Sequence, residues 1–309
     1  MGARRLGAGG GHIYVSPHLD DAVLSCGGWI RANRQRGEPV TVLTLCGGRP
    51  EGHALSPLAA RYHQAWRERG NAPEQRLQEN AAVLAAMDAG HRECATPDAI
   101  YRRGEEGPYY MERADLFREQ DARDAAAVLP LWESEVRRLA TDRRAGTLFF
   151  PLAVGGHVDH ELARRLGERL AGDGFRVAFY EDYPYAELEP GGVRRAQARF
   201  GPGVWEPETV RIDAAAKIDA VRGYRTQIGP VFGSEADLAR RIRESSAEVA
   251  CAFDGAERLR RRLAPSGVRR ALWRKAFGWH AHAERVWTFS QERAAAWLGS
   301  GQRIPGAAE

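Results

Sequence analysis

Apolar residues in this chain fall into short solid blocks separated by longer segments in which they recur every three or four positions. The blocks His12–Ser16, Val40–Leu45, His91–Ala95, Thr147–Leu152 and Arg176–Tyr180 are short, and most are rich in β-branched or aromatic residues. Val40–Leu45, short and β-branched without strict alternation, predicts a strand buried on both faces, and the other blocks predict strands. Between them, Asp20–Arg36 carries Ala22, Val23, Leu24 and Ile30, and Gln75–Asp88 carries Leu77, Ala81, Leu84 and Ala85. Asp121–Asp142 and Glu161–Ala171 show the same helical spacing, with Pro130 predicting either a kink in the former or two short helices. Strand and helix in alternation predict an α/β protein with a doubly wound, mainly parallel sheet.

Interruptions refine that outline. Gly27-Gly28 lies inside the first helix, where each glycine costs about 1 kcal/mol against alanine, so close backbone packing against the sheet is expected there. Two polar stretches, Gly47–Pro73 and Tyr101–Leu116, read as loop insertions placed to cover the strand ends. Beyond Asp182 the pattern weakens. Asp213 reads as the N-cap of a helix through Ile218, Val221 and Tyr224, and the tail as mostly helical. We expect a core over residues 1–190 and an extension over 191–309 packed on it as one domain.

Composition removes several classes. No apolar run approaches the roughly 18 residues of a membrane span. Residues 1–11 hold two arginines and no apolar stretch of a secretory leader, so a cytoplasmic protein is expected. The four cysteines, Cys26, Cys46, Cys94 and Cys251, form no CxxC pair and read as free thiols. The formal charge is +4, and the basic residues are almost entirely arginine, lysine standing only at 217 and 275. The arginine-rich run 258–275 reads as solvated helix faces rather than a nucleic-acid surface.

Two clusters carry the chemistry. Ser16-Pro17-His18-Leu19-Asp20-Asp21 follows the first strand, and Gly156-His157-Val158-Asp159-His160 follows the strand at 147–152. The carboxyl ends of strands are where open α/β sheets gather ligands. Three-residue spacing at a strand-to-helix turn lets His18 and Asp21 share one cleft. With His160 they form a three-ligand set with an open position, the pattern of a catalytic zinc, which iron, cobalt or manganese also fits. Asp20 is then free to act as general base. His157 is free to hold a developing oxyanion. Asp159 would orient that imidazole or support a ligand histidine. His280 and His282 would face apart on a helix and are discounted as a chelate.

The run Ser16–Gly28 resembles the opening motif of the PIG-L (LmbE-like) family of zinc-dependent de-N-acetylases, and Gly156–His160 is similar to its second motif. Fainter likeness continues at 55–59, 98–102 and 180–185, with an echo at 217–227. The resemblance implies a Rossmann-like sheet and hydrolysis of an N-acetyl group from an amino sugar, glycoside or glycosylated metabolite. It implies Asp21, His160 and His18 as ligands, Asp20 as base and His157 as oxyanion helper. Arg76 and Asp98 resemble positions lining the substrate cleft. Leu19 and Ala22 depart from the proline and glutamate common in relatives, and Gly155 stands where some members carry tyrosine. A two-histidine, one-carboxylate iron(II) oxygenase uses similar letters but belongs to double-sheet β barrels.

Overall fold

The runs His12–Ser16 (β1), Val40–Thr44 (β2), Thr147–Pro151 and Val177–Tyr180 are strands in which every residue is buried. The computed structural model describes residues 10–50, 52, 54–66, 72–199, 205–253 and 282–289. After β1 and β2 with their intervening helix α1 (Asp21–Gln35) come α2 (Pro57–Ala65), α3 (Ala72–Ala86) and β3 (Gly90–Glu93). A small hairpin of β4 (Arg103–Gly104) and β5 (Gly107–Pro108) precedes α4 (Ala122–Asp142), β6 (Thr147–Pro151), α5 (Val158–Gly172) and β7 (Val177–Tyr180). The remainder comprises α6 (Tyr185–Leu188), α7 (Gly192–Ala198), β8 (Trp205–Arg211), α8 (Ala214–Arg222), α9 (Arg225–Gln227), α10 (Glu235–Phe253) and β9 (Ala283–Phe289).

One sheet runs in the order β3-β2-β1-β6-β7-β9-β8. Its first five strands are parallel, and β9 pairs antiparallel with both of its neighbours. Successive side chains on the inner strands feed opposite layers. Ile13, Val15, Leu148, Phe150 and Phe179 pack with Trp132 and Val136 of α4 and Leu162 and Leu166 of α5. Tyr14, Val42, Phe149 and Ala178 pack with Val23 and Ile30 of α1 and Ile218 of α8. The chain leaves β1 toward β2 and β3, then returns on the other side of β1 as β6. That reversal opens a crevice beyond the carboxyl ends of β1 and β6, and each of the two clusters follows one of these strands. The open parallel sheet also removes the double-sheet barrel that the oxygenase reading requires.

The structure differs from expectation at five places. First, α5 begins at Val158 rather than Glu161, because the His157 ring caps it by accepting the Asp159 N–H. Histidine is outside the usual capping set, so the start was hidden. Second, α4 passes through Pro130 unbroken. Packing of Leu129, Trp132 and Val136 outweighs the one lost backbone bond. Third, the polar stretch after Gly48 contains α2, started by Ser56 as N-cap and Pro57 at the first helical position. Fourth, the C-terminal part supplies β8 and β9. Pro207 reads as a strand breaker, yet an edge strand tolerates it. Fifth, the close approach expected at Gly28 is made to the antiparallel end of the sheet, where an added Cβ would stand 2.2 Å from Cγ2 of Ile212 and 3.0 Å from Glu284 of β9.

Around that glycine, α1 loses helical geometry at Cys26 (φ −124°, ψ 15°). The Glu284 carboxylate of β9 accepts the N–H of Gly28 at 3.0 Å and of Trp29 at 2.8 Å, and Lys217 Nζ of α8 lies 2.6 Å from it. Asp213 caps α8 as expected, accepting from the N–H groups of Ala215 and Ala216. All four cysteines are free and buried. No described helix is long and apolar enough to cross a membrane. The arginine-rich run 258–275 and His280 lie outside the described residues, while His282 Nδ1 meets Ser246 Oγ at 2.9 Å.

Candidate active site

Pro17 to Asp20 form the turn between β1 and α1. Ser16 Oγ ties it, donating to the His18 carbonyl at 2.5 Å and accepting the Ala22 N–H at 2.9 Å. The Asp21 carboxylate accepts the His18 backbone N–H at 2.8 Å, which brings it beside the His18 ring. The second turn reaches α5 through Ala153, Gly155 and Gly156, whose φ values of 60°, 90° and 71° favour glycine.

The two turns bring the expected ligands together. His18 Nδ1 lies 3.1 Å and His160 Nε2 3.2 Å from Asp21 Oδ2. The outward nitrogens are held by buried carboxylates. His18 Nε2 is 3.0 Å from Asp159 Oδ2, and His160 Nδ1 is 2.7 Å from Asp182 Oδ1. Donor atoms of His18, Asp21 and His160 all lie within 4.8 Å of one another. A histidine whose far nitrogen meets a carboxylate is the usual outer arrangement of a metal site, so this donor set fits a divalent cation. A second grouping of His18, His157 and Asp159 has the same spread. It fits less well, because Arg102 Nη2 stands 2.6 Å from Asp159 Oδ1 and His157 Nδ1 is occupied by the Asp159 N–H.

Charge follows this geometry. Burial acts to lower His18, but Asp98, Asp159 and Asp21 overcome it and raise the ring well above the ordinary histidine value. His160 is held up to about 10 against its burial by Asp21 and Asp182. Burial would raise Asp21, yet the His160 and His18 rings hold it well below the carboxylate range. Asp20 goes the other way, raised by burial and by Asp21. It occupies the N-cap position of α1 but makes no capping bond. Helix capping therefore does not account for Asp20. Arg76 Nη2 stands 3.7 Å from its Oδ1.

His157 is lowered well below the ordinary value, first by burial and then by His18. Its Nδ1 accepts the Asp159 N–H at 3.3 Å, which leaves the proton of the neutral ring on Nε2. Asp159 thus contacts both rings, His18 through its carboxylate and His157 through its backbone N–H. Arg76 and Asp98 also reach the site. Arg76 stacks on Trp66 at 4.6 Å, with Nη1 4.0 Å from Asp98 Oδ2, and Asp98 Oδ2 lies 3.6 Å from His18 Nε2.

The sequence reading missed three residues. Asp182 sits just beyond β7, a strand-end position that was a usable signal. Arg102 is buried in the stretch read as a loop insertion, gripping Asp124 through Nε and Nη2 at 2.8 Å each. Tyr185, at the start of α6, lies edge-on to His160 with ring centroids 5.9 Å apart.

An open parallel sheet whose switch point gathers two carboxylate-backed histidines, an aspartate between them and a second aspartate facing Arg76 defines a class of α/β proteins with a histidine–carboxylate crevice at the strand ends. Within it, this chain belongs to the PIG-L family of GlcNAc-PI de-N-acetylases, which residues 13–171 match. It is 32% identical over 255 residues to a 2'-N-acetylparomamine deacetylase of Niallia circulans, covering 73% of this chain and 83% of that one. The 2'-N-acetylparomamine deacetylase of Streptomyces fradiae is 29% identical over 286 residues, 89% of this chain and 88% of that one. Among solved structures, a teicoplanin deacetylase in zinc-inhibited form superposes with TM-score 0.70 at 23% identity, covering 90% of this chain and 97% of its own.

Proposed function

We propose that this chain is a metal-dependent hydrolase that removes an N-acetyl group from an amino sugar within a glycoside or glycosylated metabolite, in the cytoplasm. The observation that carries the reading is the convergence of His18 Nδ1 and His160 Nε2 on Asp21 Oδ2, with Asp20 next in the chain and making no helix-cap bond. The relatives that act on 2'-N-acetylparomamine support a small, hydroxyl-rich amino-sugar substrate. Two imidazoles and one carboxylate favour zinc, and iron, cobalt and manganese accept the same donors.

His18, Asp21 and His160 hold the cation, which when bound supplies Lewis-acid polarisation of the acyl oxygen and acidifies water. Asp20 takes the proton from the water that attacks the acyl carbon. As the carbon–nitrogen bond breaks, Asp20 returns that proton to the departing amine, leaving acetate and a free amino sugar. His157 Nε2–H donates to the oxygen on which negative charge gathers. Asp159 and Asp182 keep the ligand rings oriented. Arg76 and Asp98 border the same space and bind sugar hydroxyls.

The test is acetate release from a panel of N-acetylated amino sugars and aminoglycoside intermediates, with and without chelator, after reconstitution with each metal. Asp20→Asn is expected to lower kcat by about 10²–10⁴-fold, the range of general acid–base catalysis, while metal content measured by plasma emission stays unchanged. Full turnover in that variant would remove Asp20 from the mechanism.

A further inference from the structure

Gly155 and Tyr185 interlock. Gly155 has φ 90°, and a Cβ there would stand 2.6 Å from Cγ and Cδ1 of Tyr185 and 3.0 Å from its Cβ. The volume a side chain at 155 would fill is therefore already taken by the Tyr185 ring. That ring lies edge-on to His160 at 5.9 Å and 86°, and to Phe117 at 6.2 Å and 67°. Phe117 in turn meets the His157 ring at 5.4 Å. Tyr185 so bridges from one histidine of the second motif to the aromatic wall beside the other. It follows Asp182 by three residues, so the segment that bonds His160 also carries the phenol.

The hydroxyl is uncommitted, with no hydrogen-bond partner among the described residues. Its surroundings are the Asp21, Asp182 and Asp20 carboxylates and the Tyr62 phenol. A phenol is protonated at neutral pH and so is a donor. A donor fixed by ring packing costs no reorganisation when charge develops nearby.

We propose that Tyr185 is a catalytic residue whose phenolic O–H donates a hydrogen bond to the scissile acyl oxygen, alongside His157. The proposal rests on the deacetylation reading for its substrate. No proton changes hands at the phenol. The bond strengthens as the acyl oxygen becomes an oxyanion and relaxes when acetate forms. Gly155 is the residue that makes room for it. The departure from a tyrosine at 155 is then compensated in space from a different element.

Tyr185→Phe tests this, because the ring that packs on His160 and Phe117 is retained. Loss of one such donor is expected to lower kcat by about 10²–10³-fold, with KM, metal content and thermal midpoint unchanged. An unchanged kcat overturns the proposal, as does a rise confined to KM, which would make Tyr185 a sugar wall. A second arm needs no turnover. Calorimetric binding of acetate to the metal-loaded protein should weaken in Tyr185→Phe, and equal affinity, or no binding by either protein, overturns the proposal. If the wild type releases no acetate from any N-acetylated sugar, the deacetylation reading fails by itself, and the acetate arm still decides the phenol.

Discussion

His18 and His160 each turn one ring nitrogen to Asp21 and the other to a buried carboxylate, and that pairing governs how protons move when a cation enters. Without metal, the raised His18 and His160 rings carry protons at neutral pH. His160 has a folded value of about 10 against 6.5 for the free group. Its protonation therefore stabilises the metal-free fold fully below pH 6.5, and that contribution is lost as pH rises through about 10. Metal must displace those protons. We expect metal affinity to climb with pH across that window and protons to be released on binding. Calorimetry in buffers of different ionisation enthalpy measures both, and a pH-independent affinity would contradict the ligand set. At this scale the residues that converge were legible in the sequence, since His18 and Asp21 lie within one turn and His157 and His160 within another. Asp182 was marked only by its strand-end position and Arg102 by nothing, because nothing local says which strand-end carboxylate will face a given imidazole or which loop arginine will be buried.

Among the elements, α5 starts on His157, whose Nδ1 caps it while Nε2–H is left for the donor role proposed above. Asparagine caps well but has no imidazole. His157→Asn is therefore expected to keep the denaturation midpoint near wild type while kcat falls by about 10²-fold or more; a large loss of stability with full activity would reverse the assignment. The bend in α1 rests on Glu284, which accepts two freed N–H groups and pairs Lys217. Glu284→Gln leaves that buried ammonium without a counter-charge and turns an amide N–H toward donors. It is expected to cost about 3–5 kcal/mol in urea unfolding. The Gly27-Gly28 pair announced a special packing in the sequence, but the partner, a residue beyond β8, could not be read because it lies far along the chain.

For the whole molecule, burial of β1 and β6 between neighbours on both sides sets the order of stability. Amide exchange is expected to be slowest in β1 and β6 and fastest in the edge strands β3 and β8. Uniform protection across the sheet would mean that the antiparallel strands β8 and β9 open only together with the parallel core.

The sequence by itself determined the alternation of buried strands and amphipathic helices, and the two histidine–aspartate turns that end two of those strands. Both are local properties: burial on two faces demands solid apolar runs, and a strand-to-helix turn presents residues three apart to one side. Tertiary structure alone decided that β1 and β6 are neighbours, that β8 and β9 complete the sheet, and that Asp182, Arg102 and Tyr185 meet the motif residues. Those contacts join segments far apart in the chain, and they are chosen by packing and by the cost of leaving a buried charge unpaired rather than by anything written in the neighbouring residues.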